Sequence, residues 1–393
     1  MSELADEPTA PALAAEPTVL MAVEQLRRRV PGGIGAYARG LLRGLAQCAE
    51  EGDATDVTLM ASRVPGRIFG AGPVDPLTQF GRPVLLSALP GPLLTRLWDK
   101  GWGHVPKGFD VVHSVSLAAP LARAEPARSV VTVHDVAWRR HPEATTKRGR
   151  TWHEAALCRA RDSGASLVVT SRLVAADLIA DGVDTERITI VHGGSDHLVP
   201  EDPAQTADLL ARLGVAGDFL LTVSTLEPRK NVDRLLLAYQ RVRPSLPEPW
   251  PLVIVGPAGW GPALPSVEDQ EGVILAGAVS DATLSGLYRR ARAFAYVPLT
   301  EGYGLPPLEA MRFGTPAVVA NEVPSVHDLD EPGRPPVRIV DPSDVDDIAA
   351  GLAAVLTDEA VRCDLAVRGE AYARARTWKA AARQHVTLWR SLR

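Results

Sequence analysis

Residues 293–320 read AFAYVPLTEGYGLPPLEAMRFGTPAVVA, and this stretch carries the alternation that decides the fold. An apolar run ends near Pro298, a glycine-containing loop follows, and LEAMRF continues as a helix before a second apolar run, TPAVVA. Pro306 or Pro307 suits the first turn of a helix, where a missing N–H costs nothing, and Gly314 suits a left-handed helix end. The stretch therefore predicts a strand, a loop, a helix and a second strand.

The same alternation continues on both sides of that stretch. Nearly continuous apolar runs rich in Val and Ile are typical of parallel strands that are covered on both faces. We therefore predict two doubly wound α/β domains, residues 17–205 and 206–372, followed by a helix at 373–393. The predicted strands are 109–114, 129–135, 166–171, 188–194, 219–224, 252–256, 272–277, 293–298, 315–320 and 337–341.

Length and composition limit the class of protein. A chain of 393 residues predicts two domains, and a net charge of -5 argues against a nucleic-acid partner. Cys48, Cys158 and Cys363 have neither zinc spacing nor a disulfide framework, which favours a reducing cytoplasm. Residues 1–16 are acidic and rich in Ala and Pro, which predicts a disordered lead-in rather than a signal peptide.

Glu301 and Glu309 stand on the two sides of a glycine turn, Gly302 to Leu305. This turn precedes a helix, where free amides and the helix dipole favour an anion, phosphate above all. A phosphate would repel both carboxylates, so the two glutamates are better suited to hold hydroxyl groups. A nucleotide sugar has hydroxyls on both sides of its diphosphate, and the turn therefore predicts a site for one. The structural alternative is a capped helix with two solvated glutamates.

EGYGLPPLEAMRFGTPAVVA resembles the E-x7-E signature of the family 4 (group 1) retaining glycosyltransferases, which have the two-domain GT-B fold. STLEPRKNVDRLL resembles the first strand–helix unit of the family's C-terminal domain, PGGIGAYARGLLRGL its N-terminal glycine loop, and TVHD its histidine motif. TWKAAARQHVTLW resembles the closing helix that crosses back to the first domain. The resemblance implies two Rossmann-like domains that face each other across a cleft, with the acceptor in the first and the nucleotide sugar in the second.

The resemblance assigns three residues to catalysis. Glu301 matches the glutamate near the transferred sugar, His134 the histidine of the sugar pocket, and Lys230 the lysine that neutralises the diphosphate. Positions matched to binding are Glu309 for ribose hydroxyls, Gly302, Tyr303, Gly304 and Leu305 for the donor turn, Val255 and Gly256 for the base pocket, and Gly33 and Gly35 for the N-domain loop.

One departure concerns the diphosphate. Ser224 and Thr225 stand where the family often has Gly-Arg, so the usual arginine is missing. Arg229, beside Lys230, either replaces it in donor binding or is an exposed arginine.

The resemblance implies transfer with retention of the anomeric configuration, and TLEPRKN with EGYGLPPLEA resembles the mannosyltransferase-like branch. GDP-mannose is accordingly the expected donor. No cofactor or metal is expected. Of two Asp-x-Asp triplets, Asp328-Leu-Asp330 lies in a polar loop, and Asp344-Val-Asp346 is expected to begin a helix.

The expected partners are a nucleotide-sugar donor and a glycan or lipid-linked acceptor. Residues 139–161 contain seven Lys or Arg against two Glu. This segment suits either contact with an anionic membrane, at the inner face of the cytoplasmic membrane, or a solvated basic helix.

Three other functions stay open at this point. Gly33-Ile-Gly35-Ala-Tyr-Ala38 formally fits the dinucleotide pattern of an NAD-dependent oxidoreductase, although the long turn before it argues against that reading. A sugar-nucleotide epimerase or a phosphorylase on the same fold is the second, and a non-catalytic nucleotide-sugar binder is the third.

Overall fold

The computed structural model describes residues 16–28, 30–63, 74–102, 105–121, 128–259, 270–327 and 334–393. These residues form two separate, wholly parallel sheets. Residues 1–15 of the predicted lead-in and the triplet Asp328-Leu-Asp330 lie outside the described residues.

The first sheet has the strand order β3-β2-β1-β4-β5-β6-β7 and the second β10-β9-β8-β11-β12-β13. Both follow the doubly wound order, in which strands are added first on one side of the sheet's first strand and then on its other side. The strands are β1 (Thr18–Ala22), β2 (Asp56–Ser62), β3 (Val84–Ser87), β4 (Val111–Ser114), β5 (Arg128–Val133), β6 (Ser166–Val169), β7 (Ile188–Ile190), β8 (Leu220–Val223), β9 (Leu252–Val255), β10 (Val273–Gly277), β11 (Ala293–Tyr296), β12 (Ala317–Ala320) and β13 (Arg338–Val340).

The predicted α/β architecture is confirmed, and each predicted apolar run contains one strand. Of the thirteen strands that the structure describes, three lie outside the ten predicted runs: β1, β2 and β3. VLLS of β3 is short and only partly buried at the sheet edge, so it lacks the continuous apolar run of a central strand.

Helices cover both faces of each sheet. They are α1 (Gly32–Glu50), α2 (Gly91–Asp99), α3 (Ala137–Arg140), α4 (Lys147–Asp162), α5 (Arg172–Ala180), α6 (Pro203–Arg212), α7 (Val232–Val242), α8 (Asp281–Arg290), α9 (Leu305–Arg312), α10 (Val345–Thr357), α11 (Glu359–Arg374) and α12 (Trp378–Ser391).

Helix α12 crosses back from the second domain to the first. Trp378 and Trp389 are fully buried in the same core cluster as Leu41 and Leu45 of α1. Gly40 permits this contact, because a side-chain carbon there would overlap the Trp378 ring. The core of the first domain is therefore completed by a helix that follows the whole second domain in sequence.

The predicted domain limits fall inside helices. The limit between 205 and 206 divides α6, and the limit between 372 and 373 divides α11. Helix α6 packs on α8 of the second domain, where Thr206 occupies the space beside Gly286.

Most of the charge in the basic segment 139–161 is paired. Arg139 bonds Glu154 and Asp181, Arg140 bonds Asp177, and the arginines of the last turn of α4 bond acidic groups as well, Arg159 with Asp99 and Arg161 with Asp162. The residue count therefore overstates the positive charge that this segment presents. Among the helices within the described ranges, none is both long and apolar enough to cross a bilayer.

Candidate active site

A cleft of about 500 Å³ lies between the two domains. Its walls include the loops that follow β1 and β5 in the first sheet and β8, β9 and β11 in the second. Strands β8 and β11 are neighbours at the point where the second sheet reverses its winding, which is where doubly wound sheets bind ligands.

The loops after β8 and β11 bring together an ionic cluster. Lys230 Nζ and Arg229 both bond Glu301 Oε1, the arginine at 3.1 Å. Tyr296 donates its hydroxyl to the same oxygen at 2.7 Å and lies 2.9 Å from Lys230 Nζ. Arg229 also bonds Glu227 at 2.9 Å, so it lies in the cleft wall rather than exposed on the surface.

Burial and charge oppose each other in this cluster. Burial alone would raise the pKa of Glu301, but Lys230 and Arg229 hold it at about 2. Burial lowers the pKa of Lys230, with the Arg229 charge adding to that shift. Burial would also lower the pKa of Arg229, yet Glu301, Asp135 and Glu227 raise it above its ordinary value. The cleft therefore holds an ionised carboxylate between two cations, and a diphosphate that entered would compete with Glu301 for them.

The glycine turn before α9 is held close to the first domain. A side-chain carbon on Gly302 would overlap the carbonyl oxygen of His134, and Tyr303 donates its hydroxyl to Gly193 O at 2.9 Å. Gly304 has φ +93° and caps α9, as the glycine-rich turn requires. Pro306 and Pro307 occupy the first turn of α9 and carry no N–H, so the amides available to an anion are those of the turn itself.

Glu309 lines the cleft, but both of its oxygens already accept hydrogen bonds. Tyr288 donates its hydroxyl to Oε2 at 2.8 Å, and His197 Nε2 lies 3.0 Å from Oε1. Trp378 of α12 donates its indole N–H to His197 Nδ1 at 3.1 Å. An indole nitrogen can only donate, so the hydrogen of His197 sits on Nε2 and points to Glu309. Each carboxylate oxygen retains a second lone pair for a ligand hydroxyl.

The remaining predicted positions divide between the cleft and the core. Gly33 and His134 line the cleft, and the imidazole of His134 donates from Nε2 to Val115 O at 2.8 Å. Val255 and Gly256 line it from the end of β9, where a side chain on Gly256 would overlap Ser224 O. Gly35 is buried and is not among the residues that line the cleft as described, and a side chain there would overlap Pro31.

The histidines at the strand ends do not share one rim. His134 alone of the three lines the cleft as described; His192 stacks on Tyr303 with ring centroids 5.7 Å apart. His113 is fully buried beneath α12, where its ring stacks on His385 at 5.3 Å and bonds Thr132 at 2.9 Å. Helix α12 covers that part of the sheet and separates His113 from the cleft.

The triplet Asp344-Val-Asp346 is a helix cap, as predicted. Asp344 accepts hydrogen bonds from the backbone N–H groups of Asp346 and Asp347 at the start of α10. Within the described ranges, no group of three or more His, Cys, Asp and Glu residues has the arrangement of a metal site.

Both halves of the chain match known protein families. Residues 214–376 match the model for glycosyl transferases group 1, and residues 31–197 match the model for glycosyltransferase family 4. An O-antigen chain mannosyltransferase B of Escherichia coli is 31% identical over 277 residues, which cover 67% of this chain and 71% of that protein.

The chain belongs to the group 1 glycosyltransferases.

Solved structures agree on the fold of this glycosyltransferase. The Anabaena protein Alr3699/HepE in complex with UDP and glucose has a TM-score of 0.68 at 18% identity and covers 96% of this chain and 100% of its own. Sucrose-phosphate synthase from Thermosynechococcus elongatus has a TM-score of 0.72 at 19% identity, covering 96% and 99%. At these identities the likeness establishes the GT-B architecture and nothing about the ligand.

Several residues of the glycosyltransferase cleft were missed from its sequence. Tyr296 lines the cleft and was predicted only as part of a strand, and no role was predicted for Tyr288, which bonds Glu309 behind the cleft wall. Asp135 follows His134 directly and lines the cleft, so its position at the end of β5 could have indicated it. His197 carries no such signal, because its partners Glu309 and Trp378 are both distant in sequence.

Proposed function

We propose that this glycosyltransferase transfers a hexose, with mannose from GDP-mannose as the expected donor, to a hydroxyl of a glycan or glycolipid, and that it retains the anomeric configuration. The observation that carries the proposal is the cluster of Lys230, Arg229 and Glu301 beside the glycine turn. Two cations beside a turn rich in free amides suit a diphosphate, and a carboxylate beside them suits sugar hydroxyls.

The charges support a mechanism in which stabilisation of the leaving phosphate lowers the barrier of the reaction. As the bond between the sugar C1 and the phosphate oxygen breaks, negative charge grows on the phosphate, where Lys230 and Arg229 would stabilise it. The acceptor oxygen attacks from the same face, and its proton passes to the leaving phosphate. Glu301 is held ionised by its cations, which suits an acceptor of sugar hydroxyls rather than a general acid.

The neutral His134 supports this division of roles. Burial lowers the pKa of its ring, and Nε2 already donates to Val115 O. The imidazole is therefore poised to accept a hydrogen bond at Nδ1 from a sugar hydroxyl. We place Glu309 at the ribose through the lone pairs that Tyr288 and His197 leave open.

Likeness to an O-antigen chain mannosyltransferase supports mannose as the transferred sugar. We further propose that the chemistry needs no metal, because two cations of the protein already face the diphosphate position. A peripheral place at the cytoplasmic face of a membrane stays part of the proposal. In segment 139–161, the basic residues that form no ion pair with a described acid are Lys147, Arg148 and Arg150, all in α4.

A thermal-shift panel tests the donor. GDP-mannose, UDP-glucose, UDP-GlcNAc, GDP, UDP and NAD are compared on the wild type and Glu309→Ala. We expect GDP and GDP-mannose to stabilise the wild type and to lose most of that effect in Glu309→Ala. Stabilisation by UDP compounds alone would identify uracil rather than guanine as the base of the donor. Stabilisation by NAD alone would overturn the glycosyltransfer proposal.

Product analysis tests the reaction. With GDP-mannose and methyl α-D-mannopyranoside, proton NMR should show an α-linked disaccharide, formed at the same rate after treatment with EDTA. A β-linked product would refute retention. A new nucleotide sugar formed without acceptor would indicate an epimerase, and a strict need for inorganic phosphate would indicate a phosphorylase.

A further inference from the structure

A second cavity, of about 90 Å³, opens beside the cleft in the first domain. Its walls come from the segments that follow β1, β4 and β5 and from helices α3 and α4. Ile34, His134 and Asp135 line both this cavity and the cleft. A molecule in the cavity would therefore lie next to one in the cleft. We call it the Trp138 cavity.

Aromatic rings form one wall of the Trp138 cavity. The ring of His153 stacks on Trp138 at 4.8 Å, and Trp152 meets His153 edge-on at 4.8 Å. The indole N–H groups are already used, that of Trp138 by Glu154 at 2.9 Å and that of Trp152 by Asp99 at 2.9 Å. These bonds fix the rings, which present apolar surface to the cavity, as ligand pockets commonly do.

Asp135 stands at the junction of the cavity and the cleft. Its Oδ1 accepts the backbone N–H of Ala137 at 3.1 Å, while no hydrogen-bond donor within the described ranges reaches Oδ2. The carboxylate lies beside the donor turn, since a side-chain carbon on Gly302 would come within 2.7 Å of Asp135 Cβ. One carboxylate oxygen is thus available where the cavity meets the position predicted for the transferred sugar.

The chemistry of the walls selects a neutral ligand. A carboxylate accepts hydrogen bonds from hydroxyls and repels a phosphate. Of the residues that line the cavity in the described structure, Arg28 alone is a lysine or arginine, and it is exposed at the rim. The volume corresponds to about three water molecules at about 30 Å³ each, so it admits one edge of a pyranose rather than a whole ring.

We propose that the Trp138 cavity is the acceptor subsite of this enzyme and takes one edge of a neutral sugar ring. Asp135 Oδ2 accepts a hydrogen bond from a ring hydroxyl, and the aromatic wall packs against the C–H face. This orients a second hydroxyl toward the cleft. Its oxygen bonds to C1 as the C1–O bond to phosphate breaks, and its proton passes to the phosphate. Asp135 acts as a positioning group. The inference rests on the proposed function.

Asp135→Asn tests the subsite, because asparagine keeps an oxygen for the N–H of Ala137 while removing the charge. With GDP-mannose as donor and methyl α-D-mannopyranoside as acceptor, we expect the acceptor KM to rise at least about tenfold. The Kd of GDP-mannose should change much less, because Glu301 and Glu227 still bond Arg229 when the Asp135 charge is gone. The matched control is Asp184→Asn, since Asp184 caps Glu186 N–H in the same way, at 3.1 Å, before β7 at the amino ends of the strands, whereas the cleft lies at their carboxyl ends.

A binding measurement keeps the test independent of the donor. Saturation-transfer NMR compares methyl α-D-mannopyranoside with mannose 6-phosphate on the wild type, Asp135→Asn and Trp152→Leu, which removes part of the aromatic wall. We expect the neutral glycoside to bind the wild type and both variants to weaken it. Unchanged binding or an unchanged acceptor KM in both variants would overturn the subsite, and so would stronger binding of mannose 6-phosphate.

The two proposals fail in different ways. Turnover of GDP-mannose with an acceptor KM that ignores Asp135 would refute the subsite and keep the function. Binding of the methyl glycoside that depends on Asp135, without binding of any nucleotide sugar, would refute the function and keep the subsite.

Discussion

The two domains differ in the electrostatics of their buried polar groups. On the second domain, Glu301 is ionised and balanced by Lys230 and Arg229. In the first domain, beneath α12, His113 and His385 are buried and neutral, because burial lowers the pKa of both rings. Charge is concentrated where a diphosphate would bind, and neutral aromatic groups form the base against which α12 closes. The difference teaches that the buried charged groups of the second domain suit an ionic ligand, whereas the buried histidines beneath α12 in the first domain serve packing.

Lys230→Ala should break the charged side and have the largest effect. Removal of the cation leaves Glu301 short of a partner and the leaving phosphate without its stabilising charge. We expect kcat to fall by about 10²–10³-fold, the loss typical of a removed transition-state donor. Steady-state kinetics with GDP-mannose measures it. Lys379→Ala is the control, because Lys379 bonds Glu51 at the surface. Wild-type turnover in Lys230→Ala would contradict the role given to this cluster.

Acid should lower the free energy of unfolding through the buried histidines beneath α12. Burial lowers the pKa of His385 from its ordinary value of 6.5 to about 4 in the folded chain. The unfolded chain therefore binds the proton first, so this stability is complete above about pH 6.5 and is lost as the pH falls toward 4. The loss is on the order of 3 kcal/mol. Urea unfolding from pH 7 to pH 4 measures it, and burial of His113 contributes with the same sign.

His385→Gln sharpens that measurement. His385 donates from Nδ1 to Ala381 O and accepts from Tyr37 at Nε2, both at 2.8 Å. Glutamine can still accept from Tyr37 but does not titrate. The free energy of unfolding should fall less steeply with pH in this variant; an identical slope would assign the effect to other groups.

Gly40→Ala should separate α12 from α1. A methyl group there overlaps the Trp378 ring, so the helices must move apart. Overpacking of this kind costs typically 1–3 kcal/mol. Differential scanning calorimetry would show a lower Tm than in the wild type. Gly217→Ala is the matched control, because a side chain at Gly217 meets no atom within 4 Å. Equal Tm values for the two variants would show that this contact is not tight.

Tyr288→Phe should have the smallest effect. The Tyr288 hydroxyl bonds Glu309, which also bonds His197 of the segment that follows the first sheet. The substitution removes one of two hydrogen bonds to the buried Glu309 carboxylate while keeping the ring. We expect a loss of about 1–3 kcal/mol in unfolding free energy, the cost of leaving a buried acceptor unpaired. The control is Tyr372→Phe, whose hydroxyl donates to the Ser325 carbonyl in a less buried position. Tyr239→Phe is less suitable, because its hydroxyl donates to the Trp250 carbonyl in a buried position. No change in chemical denaturation would mean that water replaces the hydroxyl.

Much of the fold was readable from local pattern. Continuous apolar runs marked the central strands, and the glycine turn with two prolines located the start of α9. The local chemistry of the glycine turn pointed to Glu301, and the family resemblance pointed to Lys230. Adjacent strands then bring them together, which the doubly wound order explains.

What could not be read depends on contacts between distant parts of the chain. His197 and Trp378 are 181 positions apart, yet their hydrogen bond fixes which nitrogen faces Glu309. His113 lies in β4, yet α12, which follows the whole second domain in the chain, covers it, as the stacking on His385 shows. In each case tertiary packing, which no short window of sequence contains, decides the environment.

The return of α12 has a consequence for the order of synthesis. Domains generally fold as units and in the order in which they leave the ribosome. Here the first domain lacks Trp378 and Trp389 until every strand of the second sheet has been made. We expect the nascent first domain to expose the apolar face of α1 throughout that interval. The second domain, translated later, would then be complete before the first.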